Sequence, residues 1–136
     1  AWDARVFGAL PERAASQALP VSDDGLLRIA FFGRFRPLSS EDAIFDALLA
    51  LARRSPELAA RVRVTCIGGL PQARLPEARF AAIDHCFEAV PSVPQERAPE
   101  TLRAADLLLL STHPERADII PAKLWDYLPV LRPILD

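Results

Sequence analysis

Two short apolar runs that end on glycine restrict this chain to a narrow set of folds. Leu27-Arg28-Ile29-Ala30-Phe31-Phe32 carries a single charge and closes at Gly33, and Val62-Arg63-Val64-Thr65-Cys66-Ile67 is β-branched and closes at Gly68-Gly69. A half-solvated strand alternates apolar and polar residues, and the first of these runs does not. A strand that is apolar throughout is covered on both faces, which is the condition of a parallel sheet. Parallel neighbours need a crossover between them, and the intervening residues supply one.

That crossover opens at Ser39, Ser40, Glu41 and Asp42, whose oxygens can accept the free amides of a first helical turn and whose acids suit its dipole. Ile44, Leu48 and Leu51, flanked by Phe45, Leu49 and Ala52, then recur at helical spacing. Arg53 and Arg54 fall at the C-terminal end, and Pro56 stops the helix. The unit repeats downstream. The pattern predicts a weaker helix over about Pro76 to Asp84 and a strand at Cys86 to Val90. A loop marked by Pro91 and Pro94 follows, then a short helix over Pro99 to Ala105 and a strand over Asp106 to Ser111. Pro121 then takes the first turn of a helix reaching Leu128, and Ile134-Leu135 reads as a fifth strand. Strand and helix alternating at this spacing imply an α/β class, Rossmann-like, with an open parallel sheet and helices on both faces. Residues 1–26, with Pro11, Pro20 and an Asp23-Asp24-Gly25 turn signal, read as a lead-in or interdomain segment carrying a short helix near Pro11 to Gln17. Residues 27–136 form the domain.

At 136 residues, half of them hydrophobic (51%) and a quarter charged (25%), the chain is long enough for one domain with a real core. A net charge of −2 gives no general attraction to nucleic acid or anionic membrane. No apolar run approaches the roughly 20 residues that cross a bilayer, and no signal-peptide pattern opens the chain. Cys66 and Cys86 both lie in runs read as strands, so buried free thiols and a reducing, cytoplasmic compartment are expected. The chain contains no Met and stops at Pro133-Ile134-Leu135-Asp136, inside an apparent strand, so a fragment of a longer protein is expected.

In a sheet of this kind ligands lie beyond the C-terminal ends of the strands, where the strand order reverses. The loop after the first strand offers Gly33-Arg34: glycine admits close backbone approach, and arginine grips phosphate oxygens in pairs. There is no G-x-G-x-x-G, no G-x-x-x-x-G-K-[ST] and no G-x-S-x-G, so dinucleotide, P-loop and nucleophile-elbow readings lose their support. His85 and His113 lack metal-ligand spacing with either cysteine; neither a metal nor a cofactor is expected. The richest stretch runs from Ser111 to Leu128 and holds Asp118, Ile119, Ile120, Lys123 and Asp126. A carboxylate before the helix can accept sugar hydroxyls, one inside it can accept ribose hydroxyls, and Lys123 with the helix amides can neutralise a diphosphate. Without a ligand in mind, the same residues read as a cap at Asp118, solvated Lys123 and Asp126, and a core made by Trp125 and Leu128.

Taken in order, four pieces resemble the C-terminal, donor-binding domain of GT-B glycosyltransferases of the group 1 type. They are Ile29 to Arg34 with the following helix, Val62 to Gly69, Phe87 to Leu110 with its Ala105-Asp106 step, and Ile120-Pro121-Ala122-Lys123-Leu124-Trp125-Asp126-Tyr127-Leu128 through Arg132-Pro133-Ile134-Leu135. The last, similar to the family's Pro-x-Lys-Leu-x-Glu-Tyr-Leu signature, is the most specific. The resemblance implies a nucleotide diphosphate-sugar donor and an acceptor-binding N-terminal domain that is absent from this chain. It gives no role to nucleic acid and expects membrane contact only through that other domain. It implies that Arg34 contacts the diphosphate, with Gly33, Lys123 and the amides of Ile119 and Ile120 nearby. Asp118, the catalytic candidate, would serve the donor sugar and Asp126 the ribose, while Pro91 to Val93 would line the base pocket. The sequence departs from the pattern in having Asp for both Glu residues and Ser39-Ser40 where a lysine usually stands. Those departures favour a rival reading, a degenerate non-catalytic binding or assembly module. A nucleotide-sugar epimerase relative fits the sheet but matches the motifs less well.

Overall fold

Strand β1 (Leu27–Phe32) has a partner on each side, and the rest of the fold is laid out from it. The computed structural model describes residues 23–35, 42–69, 77–112 and 120–136. The other strands are β2 (Val62–Ile67), β3 (Phe87–Val90), β4 (Leu107–Leu109) and β5 (Ile134–Leu135). Together they form one sheet in the order β3-β2-β1-β4-β5, and every neighbouring pair is parallel. This is the Rossmann-like α/β arrangement that the glycine-closed runs imply.

The two-residue period of the strands divides their side chains between two cores. Ile29, Phe31, Val64, Cys66 and Leu109 point to one face, where Ile44, Phe45 and Leu48 of helix α1 (Asp42–Arg54) cover them. Ala30, Ile67, Leu108 and Leu110 point to the other. There they meet Ala98 and Leu102 of α3 (Ala98–Arg103), together with Tyr127 and Val130. Helices on both faces explain why the strands are apolar on both sides. Pro56 ends α1 as expected but also opens a second short helix, α2 (Pro56–Ala59), after a break at Ser55. Proline suits that first helical position because the amide it lacks would have had no partner.

One expected helix is replaced. Over residues 76–84 the described part forms two 3-10 turns, Ala78–Phe80 and Asp84–Cys86. Phe80, Ile83 and Cys86 are buried at intervals of three, the period of a 3-10 helix, and the Ile83 and Cys86 amides donate to the carbonyls three residues back. Cys86 therefore lies in the turn that leads into β3, not in the strand; both thiols are nonetheless buried and free. The last helix is α4 (Ala122–Tyr127), prolonged by a 3-10 turn at Leu128–Val130 that ends on Leu131 in the left-handed region. The core residues it supplies are Tyr127 and Leu124, not the expected Trp125 and Leu128, which are 38% and 41% exposed. At the opposite end of the sheet Asp106 is buried: its carboxylate accepts the Arg28 amide (2.8 Å) and its own amide donates to the Arg28 carbonyl (2.8 Å). This locks the entry of β4 to β1. The lead-in, residues 1–22 with the helix expected near Pro11, lies outside the described residues.

Candidate functional site

The order β3-β2-β1-β4-β5 reverses direction between β1 and β4, so the chains leaving these two strands turn to opposite faces and leave a crevice between them. Gly33 stands at its β1 side. Its φ is +99°, a conformation L side chains rarely adopt, and its amide donates to the Ile67 carbonyl at 2.8 Å. A β-carbon at Gly33 would lie 3.2 Å from Cε of Lys123, so the bare glycine leaves the space through which the lysine stem passes. The Lys123 ammonium ends 3.7 Å from the centroid of the Phe31 ring, and Phe31 is stacked on Phe35 at 3.8 Å with 9° between the planes. Gly68, at φ +113°, makes the same turn at the end of β2, where a β-carbon would meet the Gly33 carbonyl oxygen at 3.3 Å.

Beneath the crevice, one side chain joins the two strands that part. The Tyr127 hydroxyl accepts the Phe32 amide (3.0 Å) and donates to the Leu109 carbonyl (3.0 Å). Ladder pairing between β1 and β4 is registered at Ile29 with Leu107 and Ala30 with Leu108; the phenol bridges the backbone groups just beyond. Burial pushes the Tyr127 hydroxyl well above its ordinary pKa, against a smaller opposing pull from the Phe32 amide, so it remains a neutral donor and acceptor.

The third loop also reaches α4. Gln95, in a 3-10 turn after Pro91 to Pro94, donates from Nε2 to Oδ1 of Asp126 at 2.9 Å. Pro91 is exposed and Val93 packs half-buried against the second core. Next to the switch, a cleft of about 270 Å³ opens between Ala43 and Ile44 at the start of α1 and the ends of β4 and β5, with Thr112 donating to Asp136 (2.8 Å) at its polar rim. Among the described residues no group of three or more His, Cys, Asp or Glu is placed to hold a metal ion. No described helix is long and apolar enough to cross a membrane.

Of the residues named from sequence, Lys123 passes through the space that Gly33 leaves open, and Arg34 follows exposed at the same edge. Asp126 is tied to the third loop, and Ile120 is exposed (62%) just ahead of α4. Asp118 and Ile119 lie outside the described residues. Sequence reasoning missed Phe35, Gln95 and the bridging role of Tyr127. The aromatic pair spaced by four residues around Gly33 was the one available signal; the Gln95 and Tyr127 contacts join segments far apart in the chain.

The chain is similar to curated proteins named D-inositol 3-phosphate glycosyltransferase. That of Kribbella flavida is 29% identical over 125 residues, covering 87% of this chain and 29% of the relative. That of Nocardia farcinica is 31% identical over 116 residues, covering 80% and 25% respectively. A third, from Stackebrandtia nassauensis, is 37% identical over 67 residues, or 49% of this chain and 15% of the relative. The chain thus spans under a third of the length of the curated relatives it matches. No protein-family model matches it, and no solved structure does. Motif, fold and sequence similarity nevertheless agree: this chain is similar to a segment of the GT-B glycosyltransferases of the group 1 type.

Proposed function

We propose that residues 27–136 are the nucleotide-sugar donor-binding domain of a cytoplasmic glycosyltransferase, joined through residues 1–26 to an acceptor-binding domain outside this chain. The observation that carries the reading is the position of Lys123: its ammonium is held over Phe31 at the C-terminal end of β1, its stem passing through the space left by Gly33, the residue before the exposed Arg34. A cation at the switch in strand order is where a diphosphate would be neutralised. Helix α4 has only six residues, so charge on Lys123 and Arg34, more than a helix dipole, would stabilise the departing diphosphate. Asp126 keeps acceptor capacity beyond its bond from Gln95 and would take ribose hydroxyls near the Pro91–Val93 loop. Asp118 would serve the donor sugar, and the amides of Ile119 and Ile120 the phosphates; these three roles rest on the family resemblance. The names of the relatives point to a D-inositol 3-phosphate acceptor for the longer protein.

Calorimetric titration with UDP, GDP and ADP tests this. One of them should bind, and Lys123→Met or Arg34→Ala should each weaken it about 10–100-fold, as loss of a charge-assisted hydrogen bond does. If none binds at millimolar concentration and Arg34→Ala leaves the transferase activity of the longer protein unchanged, the proposal is wrong. Engagement of Asp126 by Gln95 favours a second reading, a non-catalytic binding module, which predicts that first result and an inactive full-length protein.

A further inference from the structure

Lys123 is the single lysine among 136 residues, against fifteen arginines, and its head group lies on an aromatic ring at the mouth of the crevice. Phe35 lies flat on one face of Phe31, at 3.8 Å and 9°. The space over that face is taken, so an ammonium 3.7 Å above the ring centroid occupies the other one. The arrangement is a three-layer stack, Phe35, Phe31, Lys123. Phe31 is fully buried and belongs to the core under α1, so it cannot swing away; Phe35 is only partly buried and backs it from the first loop. The lysine stem runs through the space that Gly33 leaves open, where a β-carbon would lie 3.2 Å from Cε.

We propose that Phe31, backed by Phe35, is a positioning residue that seats the Lys123 ammonium in the unliganded protein, and that an arriving diphosphate draws the ammonium off the ring. The proposal rests on the donor-binding reading above. A flexible four-carbon side chain otherwise samples many rotamers; the ring holds it at the mouth of the crevice in the free protein, a contact that binding gives up. A ring face attracts the cation enough to hold it in place, yet more weakly than a phosphate oxygen does, so the ligand wins the exchange. Lys123 has contacts besides the ring; the ring contact is supplied by Phe31 of β1. This chemistry also accounts for a lysine rather than an arginine here. A compact ammonium leaves a ring face for a phosphate without the planar stacking that guanidinium makes.

The single lysine makes the test clean. In the chain labelled with carbon-13 lysine, one Hε–Cε signal reports Lys123. It should lie well upfield of an ordinary lysine because of the Phe31 ring current, and should move downfield as inorganic pyrophosphate or UDP is titrated in. Phe31→Tyr should preserve both behaviours. Phe31→Leu should give an ordinary position and bind pyrophosphate several-fold more tightly, because no ring contact is then given up on binding. Phe35→Ala, which leaves the buried ring in place, should reduce the upfield displacement, and it serves if Phe31→Leu does not fold. An ordinary signal position in the unliganded wild type overturns the inference, whatever binds. So does an upfield signal that stays in place while calorimetry shows pyrophosphate binding. An upfield signal with no binding of pyrophosphate, UDP, GDP or ADP overturns the donor reading itself and the exchange with it.

Discussion

At Tyr127 a single oxygen serves two strands, accepting from Phe32 and donating to Leu109 where β1 and β4 separate. Removing it strands a buried amide and a buried carbonyl, which costs more than the bond itself. Tyr127→Phe should destabilise the fold by about 1–3 kcal/mol, read as a lower urea midpoint with unchanged slope. The residue-level chemistry was partly legible in the sequence. Glycine at a strand end admits close approach and arginine and lysine can grip phosphate, which is what marks Gly33, Arg34 and Lys123 in the sequence; the fold runs the Lys123 stem through the space that Gly33 leaves open. The Tyr127 bridge and the Gln95 bond to Asp126 were not legible, because each depends on contacts across 95 and 31 residues that no local period encodes.

Among the elements, β1, α1 and β2 follow the sequence pattern closely, since an uninterrupted apolar run and a helical repeat each leave one way to be buried. The stretch before β3 does not: three buried side chains at three-residue spacing mimic a weak helix but form 3-10 turns. The last helix shows a different failure. Its apolar residues outnumber the places in the core, so which of them turned inward was undetermined until Tyr127 found its two backbone partners. A pair of substitutions separates the two situations. Ile83→Ala, at a side chain with no exposure, should cost about 2–5 kcal/mol by denaturant unfolding. Trp125→Gln, at the half-solvated surface of α4, should change stability by no more than about 0.5 kcal/mol.

For the whole molecule, the two cores set an alkaline limit. Burial pushes the Cys66 thiol up to about 12 from an ordinary value of 9.0, and raises Cys86 in the same direction. A group with a raised folded-state pKa stabilises fully below its unfolded value and loses that contribution as pH climbs toward the folded one. The urea midpoint should therefore hold up to about pH 9 and fall steadily above it. Cys66→Ala should be less stable at neutral pH yet flatten that alkaline decline. The topology has a kinetic consequence too. Strand β1 meets β2 across some 35 positions of chain, but its bonds to Asp106 and Tyr127 span 78 and 95. Closing long loops is the slow part of folding, so β1, α1 and β2 can associate early while β4 and α4 arrive late. The lysine at the crevice rides on that last arrival. After dilution from denaturant, recovery of ring-shifted Lys123 and of Trp125 fluorescence should lag behind the far-ultraviolet signal. A newly made chain would pass through a stage with its sheet begun and the crevice between β1 and β4 not yet built.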